Sequence, residues 1–408
     1  MTTTDPATST EPVASADPTT EPSSASETAG PPLGGHADPR FAGLRDEFAA
    51  RLASGDELGA SLAVILDGET VVDLWGGWAD AARTSPWRSD TITNVWSISK
   101  TVTALAALVL VDRGLLDPEA PVARYWPEFA AAGKEGVLVK HVLMHTSGVS
   151  GWAQPIEAAD ILDVDRAAAR LAEQAPWWPP GAASGYHLLD YGHLVGELVR
   201  RIDGRSLGAF VREELAERLG ADFHLGLPEQ EDHRVSNVVP PEGRLDLGAI
   251  PPDSPAFRTF TGPVLGAETT WTRAWREAGV GGAGGHGNAR AVARLNALIA
   301  GGGELDGVRI LAPKTVERVF AEHTDNIDLV LGIPLRFGLG WAVSNPASTP
   351  HVPEGRVGFW GGWGGSIVVA DADRRMTVAY VMNRMSPGII GSERSTAYVT
   401  EAYRSLSA

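Results

Sequence analysis

The stretch "NVWSISKTVTALAALVLVDRGLL", residues 94–116, passes from polar residues into an apolar run that stops at Gly114. Its spacing predicts a buried helix from about Ser97 to Arg113, with Gly114 as the stop. Lys100 sits awkwardly in such a helix. The chain has 34 basic residues, of which only Lys100, Lys134, Lys140 and Lys314 are lysine. Arginine stays charged in proteins, whereas a lysine in an apolar setting can give up its proton. A lysine three residues after Ser97, on the same helix face, therefore suggests proton transfer.

Composition narrows the choices around this pair. With 408 residues the chain has room for two folding units and an ample core. It contains no cysteine, which excludes disulfides, thiolate metal sites and cysteine nucleophiles. A net charge of −17 argues against nucleic acid or an anionic membrane as a partner. The longest apolar run, "ALAALVLV", falls well short of the roughly 20 residues that span a bilayer.

Residues 1–36 form a tail rich in Thr, Ser, Pro, Ala and acids, with no Lys or Arg. Such a tail cannot offset its ordering entropy and is expected to be disordered. It has neither the basic start nor the apolar segment of a secretory signal, so a cytoplasmic protein is expected. "GASLAVILDGETVVDLWGGWAD" reads as two strands joined at Asp67-Gly68. Residues 116–289 carry mostly helical patterns broken by Pro and Gly loops. After the helix-like "ARAVARLNALIAGGG", strands return in "RVGFWGGWGGSIVVADADRRMTVAYVMNRM", followed by a closing helix. The expected architecture is α/β of the α+β type. Residues 37–115 and 290–408, from the two chain ends, would build a mainly antiparallel sheet flanked by helices, and 116–289 a mostly helical domain.

Three elements can carry chemistry. Ser97 needs a base to become a nucleophile, and Ser–Lys pairs do this where Ser–His–Asp is absent. At a helix start its surroundings also favour developing negative charge; the plain alternative is an N-cap serine followed by a snorkelling lysine. Tyr186 follows the Pro/Gly loop "PPGAASG" and could be aimed at a pocket, where a nearby lysine cation would lower its pKa and make it a general base. Tyr191 competes for this role but lies within a helical pattern. "GFWGGWGGS" (358–366) is dense in glycine, which would let a substrate approach the backbone, and its N–H groups could stabilise an oxyanion together with that of Ser97.

In this order, "SISK", "GYHLL" and "WGGW" resemble the motifs of the serine β-lactamase-like superfamily, which includes class C β-lactamases, penicillin-binding D,D-peptidases and family VIII carboxylesterases. "LVKHVLMHTSGVSGW", "YGHLVGELVRRIDGRSL" and "GGGELDGVRIL" add to the likeness, which runs from about 38 to 405. The resemblance implies a β-lactamase/D,D-peptidase-like fold with Ser97 as acylated nucleophile, Lys100 as its activator and Tyr186 as partner base. The N–H groups of Ser97 and Trp363 would form the oxyanion hole, and Trp360, Gly361 and Gly362 would face the substrate. No metal or cofactor is implied. Trp360 stands where β-lactamases and D,D-peptidases place a cation, and Leu188 where many β-lactamases place an asparagine. Both departures favour a small, uncharged or hydrophobic ester over a β-lactam, as in the family VIII esterases. Acyl transfer, small-amide hydrolysis, weak β-lactamase activity or a non-catalytic binding role remain alternatives on the same fold, and oligomeric state is left open.

Other motifs have simpler readings. "GRSLG" (204–208) matches G-x-S-x-G, yet it follows a helix rather than a strand, so Ser206 is expected to be a turn serine or N-cap. "GAGGHG" (282–287) lacks a clear preceding strand and reads as a loop leading to the helix at 289. His145 and His286 are expected to satisfy loop backbone groups. Trp177 and Trp178 could line an acyl pocket or pack in the core.

Overall fold

The central strand, Gly59–Leu66, is "GASLAVIL", a nearly unbroken apolar run buried along its length. Such a run suits a strand covered on both faces. In the computed structural model, which describes residues 30–243, 247–263 and 265–407, it lies inside a nine-stranded sheet. In spatial order the strands are Leu33–Ala37, Glu69–Gly77, Gly59–Leu66, Met376–Met382, Ile367–Asp371, Val357–Gly361, Ala342–Val343, Pro334–Phe337 and Asn326–Ile327. Every neighbouring pair is antiparallel. The two chain ends meet where Val64 pairs with Val378. The expected hairpin turns at Asp67 and Gly68, both at positive φ (52° and 88°).

Register shows how the sheet is covered. Ser61 lies opposite Val381, and its hydroxyl accepts a hydrogen bond from Ala289 N at 3.0 Å, placing helix Ala289–Ala300 on that face. Leu62 and Tyr380 point the other way because side chains alternate along a strand. There Tyr380 meets Tyr398 of helix Glu393–Ser405, which in turn packs on Phe48 of helix Ala42–Ser54. Helix Ser99–Asp112 is buried from Ser99 to Leu110. Burying each of its Leu and Val side chains contributes roughly 1.5–3 kcal/mol. One continuous core joins the sheet to the helical stretch, and the described residues from Pro31 onward pack as a unit.

Three expectations change. Residues 33–36 belong to a strand, with Leu33 opposite Gly76, so the low-complexity tail ends before them; residues 1–29 lie outside the described residues. The helix expected from Ser97 starts as a 3₁₀ turn, Trp96–Ile98, and becomes α-helical at Ser99. The loop expected at 282–287 contains a short strand, Gly285–Gly287, between Thr93–Asn94 and Phe223–Leu225. Its pairing partners are distant in sequence, so no local pattern announces it. Among the described residues no helix is long and apolar enough to cross a membrane.

Candidate active site

Ser97 is placed by the turn it occupies. Trp96 has a φ of 52°, in the left-handed region that a bulky residue rarely adopts. Two clamps hold it there. On one side Val95 N donates to Gly285 O (2.9 Å), while Ser99 Oγ donates to Trp96 O (2.5 Å) and accepts from Gly285 N (2.8 Å). On the other, the turn at 362–366 packs on Val95, with Ser366 Oγ donating to Val95 O at 3.3 Å.

Lys100 Nζ lies 3.1 Å from Ser97 Oγ and donates to Leu188 O and Gly282 O, each at 2.7 Å. The glycines of "GAGGHG" now have a use: a Cβ at Gly192 would sit 2.1 Å from Gly282 N, and one at Gly282 2.5 Å from Leu189 O. Small residues let the 281–282 backbone and helix Asp190–Asp203 close around the amine. Lys100 is 2% exposed, and burial lowers its pKa to about 7, partly opposed by the Asp190 carboxylate. A neutral amine has two hydrogens and one lone pair. Two carbonyls can take the hydrogens, which turns the lone pair toward the Ser97 hydroxyl.

Tyr186 is fully buried beside this pair. Lys100 Nζ lies 4.7 Å from its ring centroid. Trp360 Nε1 donates to the phenol oxygen at 3.1 Å. The expected drop in its pKa is not found. Burial pushes the phenol well above its usual range, outweighing the opposing pull of its neighbours Ser97 and Trp360. The phenol therefore works as a neutral group that accepts from Trp360 and has one proton to give.

Trp363 lies in the turn after strand Val357–Gly361, where Gly362 N donates to Ser366 O at 2.8 Å. Among the described residues, no backbone hydrogen bond engages the Trp363 N–H, and its ring meets Trp96 edge-on at 4.9 Å. The glycines here let the turn pack closely: a Cβ on Gly361 would lie 2.8 Å from Gly391 N, and one on Gly362 2.6 Å from Val95 O.

The other candidates resolve into structural parts. Ser206 Oγ accepts from Ala209 N at 3.2 Å, as an N-cap. Tyr191 lies inside its helix, stacked on His145. His145 Nδ1 accepts from His187 N at 3.0 Å, and His286 Nδ1 donates to Gly284 O at 3.0 Å. Trp178 is buried and donates to Ala183 O at 2.9 Å, as core packing requires; Trp177 stays partly exposed under Arg258. A serine–imidazole pair, Ser147 and His187, is close at 2.7 Å but fully buried. His187 Nδ1 bonds Gly185 O, so Nε2 accepts from Ser147, and burial lowers this imidazole to about 3. That pair ties two loops together. Among the described residues no acidic or histidine cluster could hold a metal.

Two carboxylates went unnoticed in the sequence. Asp190, four residues after Tyr186, is fully buried; burial raises its pKa well above the ordinary range, while the Lys100 cation pulls it down. Asp328 anchors the backbone of Tyr186. An acid four residues past the tyrosine, at the head of an apolar helix, was the available signal for Asp190. Asp328 had none, being 142 residues from its partner.

The profile of the family described as Beta-lactamase matches residues 44–398. The chain is 36% identical over 375 residues to Esterase/beta-lactamase LipL of Mycobacterium tuberculosis, covering 88% of this chain and 85% of that one. A crystal structure of a family VIII carboxylesterase superposes with a TM-score of 0.86 and 40% identity, covering 92% of this chain and all of the other. A penicillin-binding protein homologue from Caulobacter crescentus superposes with a TM-score of 0.85 and 39% identity over the same share of both chains.

Proposed function

The chain belongs to the Beta-lactamase family, and we propose that within it this protein is a serine carboxylesterase working through an acyl-enzyme on Ser97. The observation that carries this reading is the Lys100–Ser97 contact at 3.1 Å, with two carbonyls fixing the amine. In this mechanism the neutral Lys100 amine takes the Ser97 proton as Oγ attacks the ester carbonyl. The tetrahedral oxyanion is held by the N–H groups of Ser97 and Trp363, preorganised donors of the kind that contribute most to such reactions. Lys100, now an ammonium, passes its proton by way of the Tyr186 phenol to the departing alcohol. Water then attacks the acyl-enzyme by the same route in reverse and releases the acid.

Preference for small, uncharged or hydrophobic esters is supported by Trp360. Its indole N–H is engaged by Tyr186 and it bears no charge, so it cannot anchor a substrate carboxylate as a cation would. A charge-assisted bond of that kind contributes about 1.5–3 kcal/mol. The LipL and family VIII likenesses favour ester chemistry as well.

The test is hydrolysis of p-nitrophenyl butyrate by the purified protein beside Ser97→Ala. Turnover is expected in the first and background rates in the second. Activity that survives the substitution would sink the mechanism.

A further inference from the structure

Tyr186 lies in a loop, yet the proposed chemistry needs its phenol fixed near Ser97. Its backbone is fixed by a buried carboxylate from the far edge of the sheet. Asp328 directly follows edge strand Asn326–Ile327 and is 1% exposed. Its Oδ1 accepts from three backbone N–H groups: Tyr186 at 3.0 Å, Val330 at 3.0 Å and Leu331 at 2.9 Å. Its Oδ2 accepts from Ser184 Oγ at 2.9 Å. The same two segments are joined again by Leu329 N to Ser184 O (2.9 Å) and Ser184 N to Asn326 Oδ1 (3.2 Å). Farther along this segment, Phe337 lies parallel to the Tyr186 ring and packs on Trp360.

We propose that Asp328 is a positioning residue for catalysis, holding the Tyr186 loop so that the phenol can protonate the leaving group. The inference rests on the role given to Tyr186 above. Four hydrogen bonds converge on one buried side chain, and two of them, from Val330 N and Leu331 N, lie within the 328–331 turn. The bonds to Tyr186 N and Ser184 Oγ have no purpose within that turn; they bind it to the segment carrying the phenol.

A positional role has a signature that loss of stability lacks. An alkyl alcohol leaves only if protonated, whereas p-nitrophenol leaves readily as its anion. Asp328→Ala should therefore lower kcat/KM, which reports acylation and not the deacylation step common to both butyrates, by roughly 100-fold for ethyl butyrate but by less than about 10-fold for p-nitrophenyl butyrate, within the span of general-acid contributions. Active sites are counted by titration with a phosphonate ester, so that misfolded protein does not enter the rate. Asp328→Asn should restore both rates to within about threefold, because its carbonyl still accepts the three N–H bonds and its amide can donate to Ser184 Oγ. Should the alanine variant fail to fold, Asp328→Ser, whose oxygen ends one bond short of Tyr186, takes its place.

Equal losses on both esters, or no rescue by asparagine, would overturn the proposal. Tyr186→Phe is the reference. If it shows the leaving-group difference and the Asp328 variants do not, the anchor alone is wrong. If Tyr186→Phe shows none, the role of Tyr186 falls, and this inference with it.

Discussion

Lys100 and Lys134 together show what a buried lysine can be for. Lys134 is also buried, but its Nζ donates to Ala131 O and Ala172 O, each at 2.9 Å, and to Gln174 O. Carbonyls satisfy all three of its donors, and it serves as a tie between a loop and the end of helix Val164–Glu173. Lys100 has two carbonyls and a serine hydroxyl, so its third position is the one where a proton can move. Because the amine must be neutral to act as base, kcat/KM should fall as pH drops through about 7, where burial has placed this pKa. Tyr186 moves the other way and stays protonated over that range. Lys100→Arg, which keeps the charge and cannot release it, should lose about 10²–10⁴-fold in rate. A pH–rate profile that stays flat through neutrality, or an active arginine variant, would make Lys100 a structural cation like Lys134.

At the scale of elements, the site depends on turns that bring three distant segments together. The turn at 362–366 is one of them. Gly364 has a φ of 94°, and a Cβ there would lie 2.6 Å from Met385 Cγ and 3.0 Å from Met385 Cα. Gly364→Ala must shift the turn and with it the adjacent Trp363 N–H. Loss of one oxyanion donor typically costs 10²–10³ in kcat. A drop of about 10²-fold in kcat with little change in KM is expected from steady-state kinetics. An unchanged kcat would remove Trp363 from the oxyanion site.

The whole molecule is closed by a buried pair between its ends. Arg394 Nη1 lies 2.8 Å from Glu57 Oε2, with Tyr380 and Tyr398 donating to Glu57 Oε1. Arg394 also donates to Arg384 O and Ser386 Oγ, and Ser386 N donates to Gly364 O at 2.7 Å. The network thus joins the first central strand, the last helix and the turn at 362–366. Glu57→Gln keeps the shape but leaves the guanidinium buried without a counter-charge, a loss of about 3–5 kcal/mol. Chemical denaturation should show it as a lower midpoint; an unmoved midpoint would mean the pair breaks even against its desolvation.

Much of this was open to reading along the chain. Short-range physics was enough for the Asp67-Gly68 hairpin, the buried helix after Ser97 and the Ser206 cap, because their partners are a few residues away. The S-x-x-K pair was legible for the same reason, as three residues along a helix place two side chains together. What the sequence could not determine depends on partners far along the chain and on burial. Strand Gly285–Gly287 exists only because Thr93 and Phe223 pair with it. The rise in the Tyr186 pKa, opposite to that expected from a neighbouring cation, follows from a degree of burial that no local pattern records. Asp328 reaches Tyr186 only across the folded sheet edge. Local spacing determined which groups could react, and tertiary packing decided which of them are charged and where they are held.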